Sequence, residues 1–134
     1  MEITKEATNF QYYNLSNEKT IKKVFISYAN SYHAKAIVKK LQDLNEDVDG
    51  KIDYQICGTM QENQPMISKV AILNSKCNDF TVMVSQCDIV ICDISQDKNQ
   101  FEETKAILKF FEEHLEVGIE FNLTLILIST IMTW

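Results

Sequence analysis

One proline and three glycines in 134 residues leave little material for tight turns. That scarcity argues against a disordered, collagen-like or turn-rich all-β chain. Cysteine occurs four times, at Cys57, Cys77, Cys87 and Cys92, with no C-x-x-C pair among them. Three of these lie in or beside apolar runs, where a reduced thiol behaves as a small hydrophobe. With only His33 and His114 to add, no metal site is expected. Basic residues are outnumbered, thirteen Lys and Arg against nineteen Asp and Glu, for a net charge of −6. They are also scattered, so the surface repels phosphate backbones and no nucleic-acid partner is expected. The longest apolar stretch, Leu123 to Met132, is too short to span a bilayer and is broken by polar residues. The first residues, Met1 to Glu6, lack the apolar core of a signal peptide. A cytosolic setting without membrane contact is the expectation. Without secretion, the glycosylation patterns at Asn14-Leu15-Ser16 and Asn122-Leu123-Thr124 carry no meaning.

What is present is one domain's worth of core material, 46% hydrophobic with seven Phe, five Tyr and one Trp. Residues 1–21 read as a polar tail and 22–134 as the domain. Lys23 to Tyr28 is a short β-branched and aromatic run, a buried strand. Ile37, Val38, Leu41 and Leu44 recur at helical spacing, which predicts a helix from about His33 to Asp43. Asn45 to Lys51 reads as a loop and Ile52 to Met60 as a second strand. Between 61 and 77 the pattern is ambiguous: Pro65 favours a loop, while Ile67, Val70, Ala71 and Ile72 suit a helical turn. Asn78 or Asp79 is placed to cap a short helix through Val84. Asp88 to Cys92 is a continuous apolar run, as in a strand covered on both faces. Ser95 or Asp97 opens an amphipathic helix with Phe101, Ile107, Leu108, Phe111 and Leu115 on one face. Phe121 to Ser129 is the last strand.

This alternation predicts an α/β, Rossmann-like three-layer domain with a four-stranded parallel sheet, the front half of a larger sheet. The last strand is expected beside the first, with nothing after it to cover its apolar face. Either a continuing polypeptide or a partner would complete it, through contacts at Leu125, Leu127, Ile131 and Trp134.

In such folds the turn after the first strand holds phosphate, and glycines let the backbone approach it. Here the turn reads Ser27-Tyr28-Ala29-Asn30-Ser31-Tyr32-His33-Ala34. On the T-G-x-x-G-x-x-G pattern of short-chain dehydrogenases, the glycine positions fall on Tyr28, Ser31 and Ala34. Tyr28 puts a β-carbon and a ring where that turn needs neither. The acidic residue that usually ends the second strand is replaced by Cys57-Gly58-Thr59-Met60. The site formed by Ser27, Tyr28, Ser31 and Ala34 therefore reads as a degenerate phosphate loop, and no cofactor is expected. No Tyr-x-x-x-Lys pair appears, and the glycines at 50, 58 and 118 form no G-x-x-x-x-G-K loop.

Lys23-Val24-Phe25-Ile26, Tyr54 to Met60, Cys87 to Ile91 and above all Leu127 to Trp134 resemble the N-terminal domain of the adenylate kinase 7 family. These are multidomain adenylate kinases of motile cilia. The resemblance covers about residues 22–134, and Ser-Thr-Ile-Met-Thr-Trp is its most specific part. It implies a dehydrogenase-derived module that precedes a separate kinase domain, and a place in the ciliary or flagellar axoneme. Its partners would then be other axonemal proteins, in a complex of the radial-spoke type. No kinase residue of the family falls on this chain, so the module is expected to be non-catalytic.

A second reading starts from Val24 to Ala29, which also resembles the opening strand of TIR domains. Some of those cleave NAD with a helix glutamate, as deoxyribosyltransferase-like folds act on nucleosides. Glu102 or Glu103 would be that glutamate. Against this, Glu102, Glu103, Glu112 and Glu113 have the spacing of a solvated helix face. Asp88 and Asp93 bracket a buried strand and read as turn or cap residues. His33 reads as exposed polar filler at a helix start.

Overall fold

The computed structural model describes residues 19–60, 68–95 and 98–129. Five parallel strands alternate with three helices: β1 (Thr20–Ile26), α1 (Tyr32–Asn45), β2 (Ile52–Gly58), β3 (Ala71–Ile72), α2 (Phe80–Ser85), β4 (Ile89–Asp93), α3 (Lys98–Glu116) and β5 (Thr124–Ile128). The sheet order is β3-β2-β1-β4-β5. That order matches the first five positions of the doubly wound dinucleotide-binding sheet, and the fold is Rossmann-like α/β.

Two expectations need correcting. The sheet has five strands rather than four, because Ala71–Ile72 pairs with Cys57 and Gly58 along the outer edge of β2. Two residues are too few to show a period of two, so this strand has no signature in sequence. The last strand also lies beside β4 and not beside the first. The reason is burial: Val24, Phe25 and Ile26 are all buried, so β1 takes the centre, between β2 and β4. Each such side chain contributes roughly 1.5–3 kcal/mol by leaving water, and only a central strand buries both faces.

The pleat divides these residues between two cores. Val24, Ile26, Ile56 and Ile91 pack with Ala34 and Val38 of α1. Phe25, Val90 and Cys92 pack with Phe80 and Val84 of α2 and with Ile107 and Phe111 of α3. The three layers are thus α1, the sheet, and α2 with α3. β1 begins at Thr20, two residues ahead of the expected boundary at 22. Lys19 supports that start, its Nζ donating to the carbonyls of Asn45 and Asp47 at the end of α1. Asp79 holds the cap position of α2, although its carboxylate makes no capping bond.

On α3 the buried face is Gln100, Glu103, Thr104, Ile107 and Phe111. Phe101, Leu108 and Leu115 are exposed and form a second, uncovered stripe. The helix is therefore apolar over a wider arc than its single-face reading assumed. It ends in a left-handed residue, Gly118 at φ +88°, whose N–H bonds to Leu115 O.

β1 and β2 approach most closely at their C-terminal ends. A β-carbon on Gly58 would stand 2.3 Å from Ile26 O and 3.1 Å from the Ala29 β-carbon. The first of these is backbone of the central strand and has no room to yield. Gly58→Ala is expected to lower stability by about 2–3 kcal/mol, seen as an earlier midpoint in urea unfolding. An unchanged midpoint would show that the two strands are not this close.

Candidate functional site

The C-terminal ends of β1, β2 and β4 meet the start of α1 where the winding of the sheet reverses. Open α/β sheets bind ligands at that place. In this chain the turn after β1 is closed by its own hydrogen bonds. Ser27 N–H donates to Ile91 O at 2.9 Å, and Ala29 N–H to Thr59 O at 2.8 Å. Tyr28 N–H donates to Thr59 Oγ1 at 2.9 Å, and Ser31 N–H to Tyr28 O at 2.8 Å. The amides of Ser27, Tyr28, Ala29 and Ser31 are thus engaged within the protein. Tyr28 adopts φ 45°, the left-handed backbone that glycine favours. The turn thus keeps its glycine shape with a side chain in place, a strain of about 1–2 kcal/mol. Ala34 and Ser31 are buried, and the Ser31 hydroxyl makes no capping bond to α1.

A buried carboxylate stands beside the start of α1. Asp93, 2% exposed at the end of β4, accepts a hydrogen bond from His33 Nδ1 at 3.0 Å. Its other oxygen accepts from the Ser95 backbone N–H at 2.8 Å and from the Ser95 hydroxyl. Its own N–H donates to Ser27 Oγ at 2.9 Å. His33 and Ser95 thus hold the carboxylate, and Ser27 holds the backbone of the same residue, beside the first turn of α1, where a negative charge is favoured. His33 is half-buried and paired, not the exposed filler its position suggested. Asp93 does form the turn expected of it, through Ser95, and carries the histidine in addition.

Beside this network lies a cleft of about 960 Å³ bounded by Tyr28, Thr59, Asn74, Lys76, Asn99 and Glu103. Glu103 corrects the solvated-face reading, because it is only 8% exposed. Its Oε2 accepts from the Thr59 hydroxyl at 3.0 Å, so Thr59 links the Tyr28 amide to this carboxylate. Glu102, Glu112 and Glu113 are exposed as expected. Helical periodicity placed all four on one face. The signal that separates Glu103 is its four-residue spacing from Ile107, which puts it on the core side of α3.

A second surface faces away from the cleft. Leu125 and Leu127 point to the α3 side of the sheet and are 39% and 51% exposed, while Ile126 on the other face is 43% exposed. A groove of about 640 Å³ runs between α3 and β5, lined by Leu108, Phe111, Leu115, Phe121, Leu123 and Leu125. Glu112 and Glu116 stand at its rim. The outer edge of β5 pairs with no strand among the described residues. Of the expected partner contacts, Leu125 and Leu127 lie on this surface, and Ile131 and Trp134 fall outside the described residues. No helix among the described residues is long and apolar enough to cross a membrane, and none of these residues form a cluster able to hold a metal ion.

Removing the carboxylate should open the closed turn. Asp93→Ala is expected to cost about 1–3 kcal/mol in chemical unfolding, because it leaves the His33 ring and the Ser95 amide and hydroxyl without their acceptor. Paired with His33→Ala in a double-mutant cycle, it should show a coupling of about 1 kcal/mol. Strict additivity would mean that the two side chains do not depend on each other. Compared with known proteins, the chain matches no family model, no curated protein and no solved structure at a significant level.

Proposed function

We propose that this chain is a non-catalytic, Rossmann-like assembly module of an adenylate kinase 7-like protein of the ciliary axoneme. The observation that carries the non-catalytic part is the closed first turn. Its amides are engaged by Thr59, Ile91 and Tyr28, and Asp93 already supplies the negative charge beside α1. A phosphate arriving there would meet a carboxylate of like charge. What supports an assembly role is the apolar surface of β5 and α3, since contiguous uncovered patches mark protein contacts. Leu125 and Leu127 would be central to that contact. The axonemal setting, with radial-spoke proteins as partners, rests on the sequence resemblance alone.

A second reading is favoured by one specific feature, the buried Glu103 at the edge of a cleft large enough for a nucleoside. In that reading Glu103 is the helix glutamate of a TIR-like or deoxyribosyltransferase-like site, held by Thr59.

Two measurements separate the readings. Expressed with a tag in ciliated cells, the protein should remain with axonemes after detergent extraction. A Leu125→Lys, Leu127→Lys variant that still folds should be lost from them. Retention of the variant, or absence of the unaltered protein from axonemes, would contradict the assembly reading. Calorimetric titration with NAD, ADP and nucleosides should give no saturable heat. Binding that disappears in Glu103→Gln would instead establish the small-molecule site.

A further inference from the structure

Two thiols that the sequence places thirty residues apart come together beneath β1. Cys57 lies on β2 and faces the α2 and α3 side of the sheet, packed against that core. Cys87 lies between α2 and β4, held by its N–H to Val84 O. Their sulfurs are 3.8 Å apart. A surface pocket of about 240 Å³ opens onto both, with Lys23, Met83 and Gln86 among its walls. The other two cysteines differ in both respects. Cys77 is exposed, and Cys92 lies deep in the core, its thiol pushed up to about 11 by burial.

We propose that Cys57 and Cys87 are a dithiol site that a hydroperoxide converts to a disulfide, tying β2 to the α2–β4 junction across β1. The contact is already short, since the sulfurs need to close by only about 2 Å to reach bonding distance. The pocket admits a molecule the size of hydrogen peroxide to both sulfurs.

The two thiols have different chemical roles. The hydrogen bond from the Cys57 thiol, helped by the nearby Lys23 ammonium, holds Cys87 below the usual thiol range. The same hydrogen bond and burial push Cys57 up. Cys87, which lines the pocket together with Lys23, is the sulfur assigned to attack. Its thiolate attacks the terminal oxygen of the hydroperoxide, forming an S–O bond as the O–O bond breaks. The departing alkoxide or hydroxide takes up a proton and leaves as alcohol or water. Cys87 is left as a sulfenic acid. The Cys57 sulfur then attacks the Cys87 sulfur, and the expelled hydroxide takes the Cys57 proton and leaves as water. Two thiols have lost two electrons and two protons, and the hydroperoxide has gained both.

The test uses the whole chain, reduced and then treated with hydrogen peroxide, with Cys77→Ser as a second form lacking the exposed thiol. Intact mass should fall by two hydrogens, two fewer cysteines should take up a maleimide, and peptide mapping should join Cys57 to Cys87. Dithiothreitol should reverse all three. In Cys57→Ser, Cys87 should stop at the sulfenic acid and be captured by dimedone, while Cys87→Ser should form no intramolecular bond. Full maleimide labelling of both Cys57 and Cys87 after peroxide would overturn the proposal. So would sulfinic acid accumulating at Cys87 while Cys57 is present.

Discussion

The carboxylate of Asp93 holds the C-terminal end of the sheet in its present form. It is a buried charge, and a buried charge persists only when it is paired and hydrogen-bonded. His33 and Ser95 provide those bonds, and the Asp93 amide in turn reaches Ser27. β1, β4 and the start of α1 are thereby fixed relative to one another around one group. Thr59 performs a similar task on the β2 side, joining the Tyr28 amide to Glu103 on α3. The result is a turn with the left-handed residue of a nucleotide-type loop and with the amides of Ser27, Tyr28, Ala29 and Ser31 bonded internally. Its left-handed residue, Tyr28, tolerates its strain because the surrounding bonds over-determine the conformation.

Much of the fold was legible in the order of apolar runs. Val24-Phe25-Ile26 and Val90-Ile91-Cys92 are continuous because both of their faces are covered, and a parallel sheet follows from that. The turn residues 27–34 read in sequence as a degraded loop because glycine is so specific a requirement there, and the structure places Tyr28 in the left-handed region that glycine favours. Three features were not legible. β3 is two residues long and exposed, so neither periodicity nor burial marks it. The neighbour of β5 depends on which strand is central, and that is decided by a competition for burial across the whole sheet. The partnership of His33 with Asp93 spans sixty residues and leaves no local pattern.

The individual polar residues were misread for one common reason. Sequence spacing places a side chain on a helix face, but it does not say how far the core extends around that face. α3 buries Glu103 and Thr104 and leaves Phe101, Leu108 and Leu115 in solvent. Polar burial at one end serves the cleft, and apolar exposure at the other end forms the groove beside β5. One presents buried polar groups linked through Thr59 and Glu103, and the other presents uncovered hydrocarbon whose removal from water would drive association.

Amide hydrogen exchange resolved at Tyr28, Ala29 and Ser31, with and without NAD or ADP, tests the closed turn most directly. If the turn is closed by Thr59 and by its own carbonyls, these amides exchange slowly, and added nucleotide leaves them unchanged. Fast exchange in the free protein, slowed when nucleotide is added, would mean that the donors are available to a phosphate and that the turn is a working binding site.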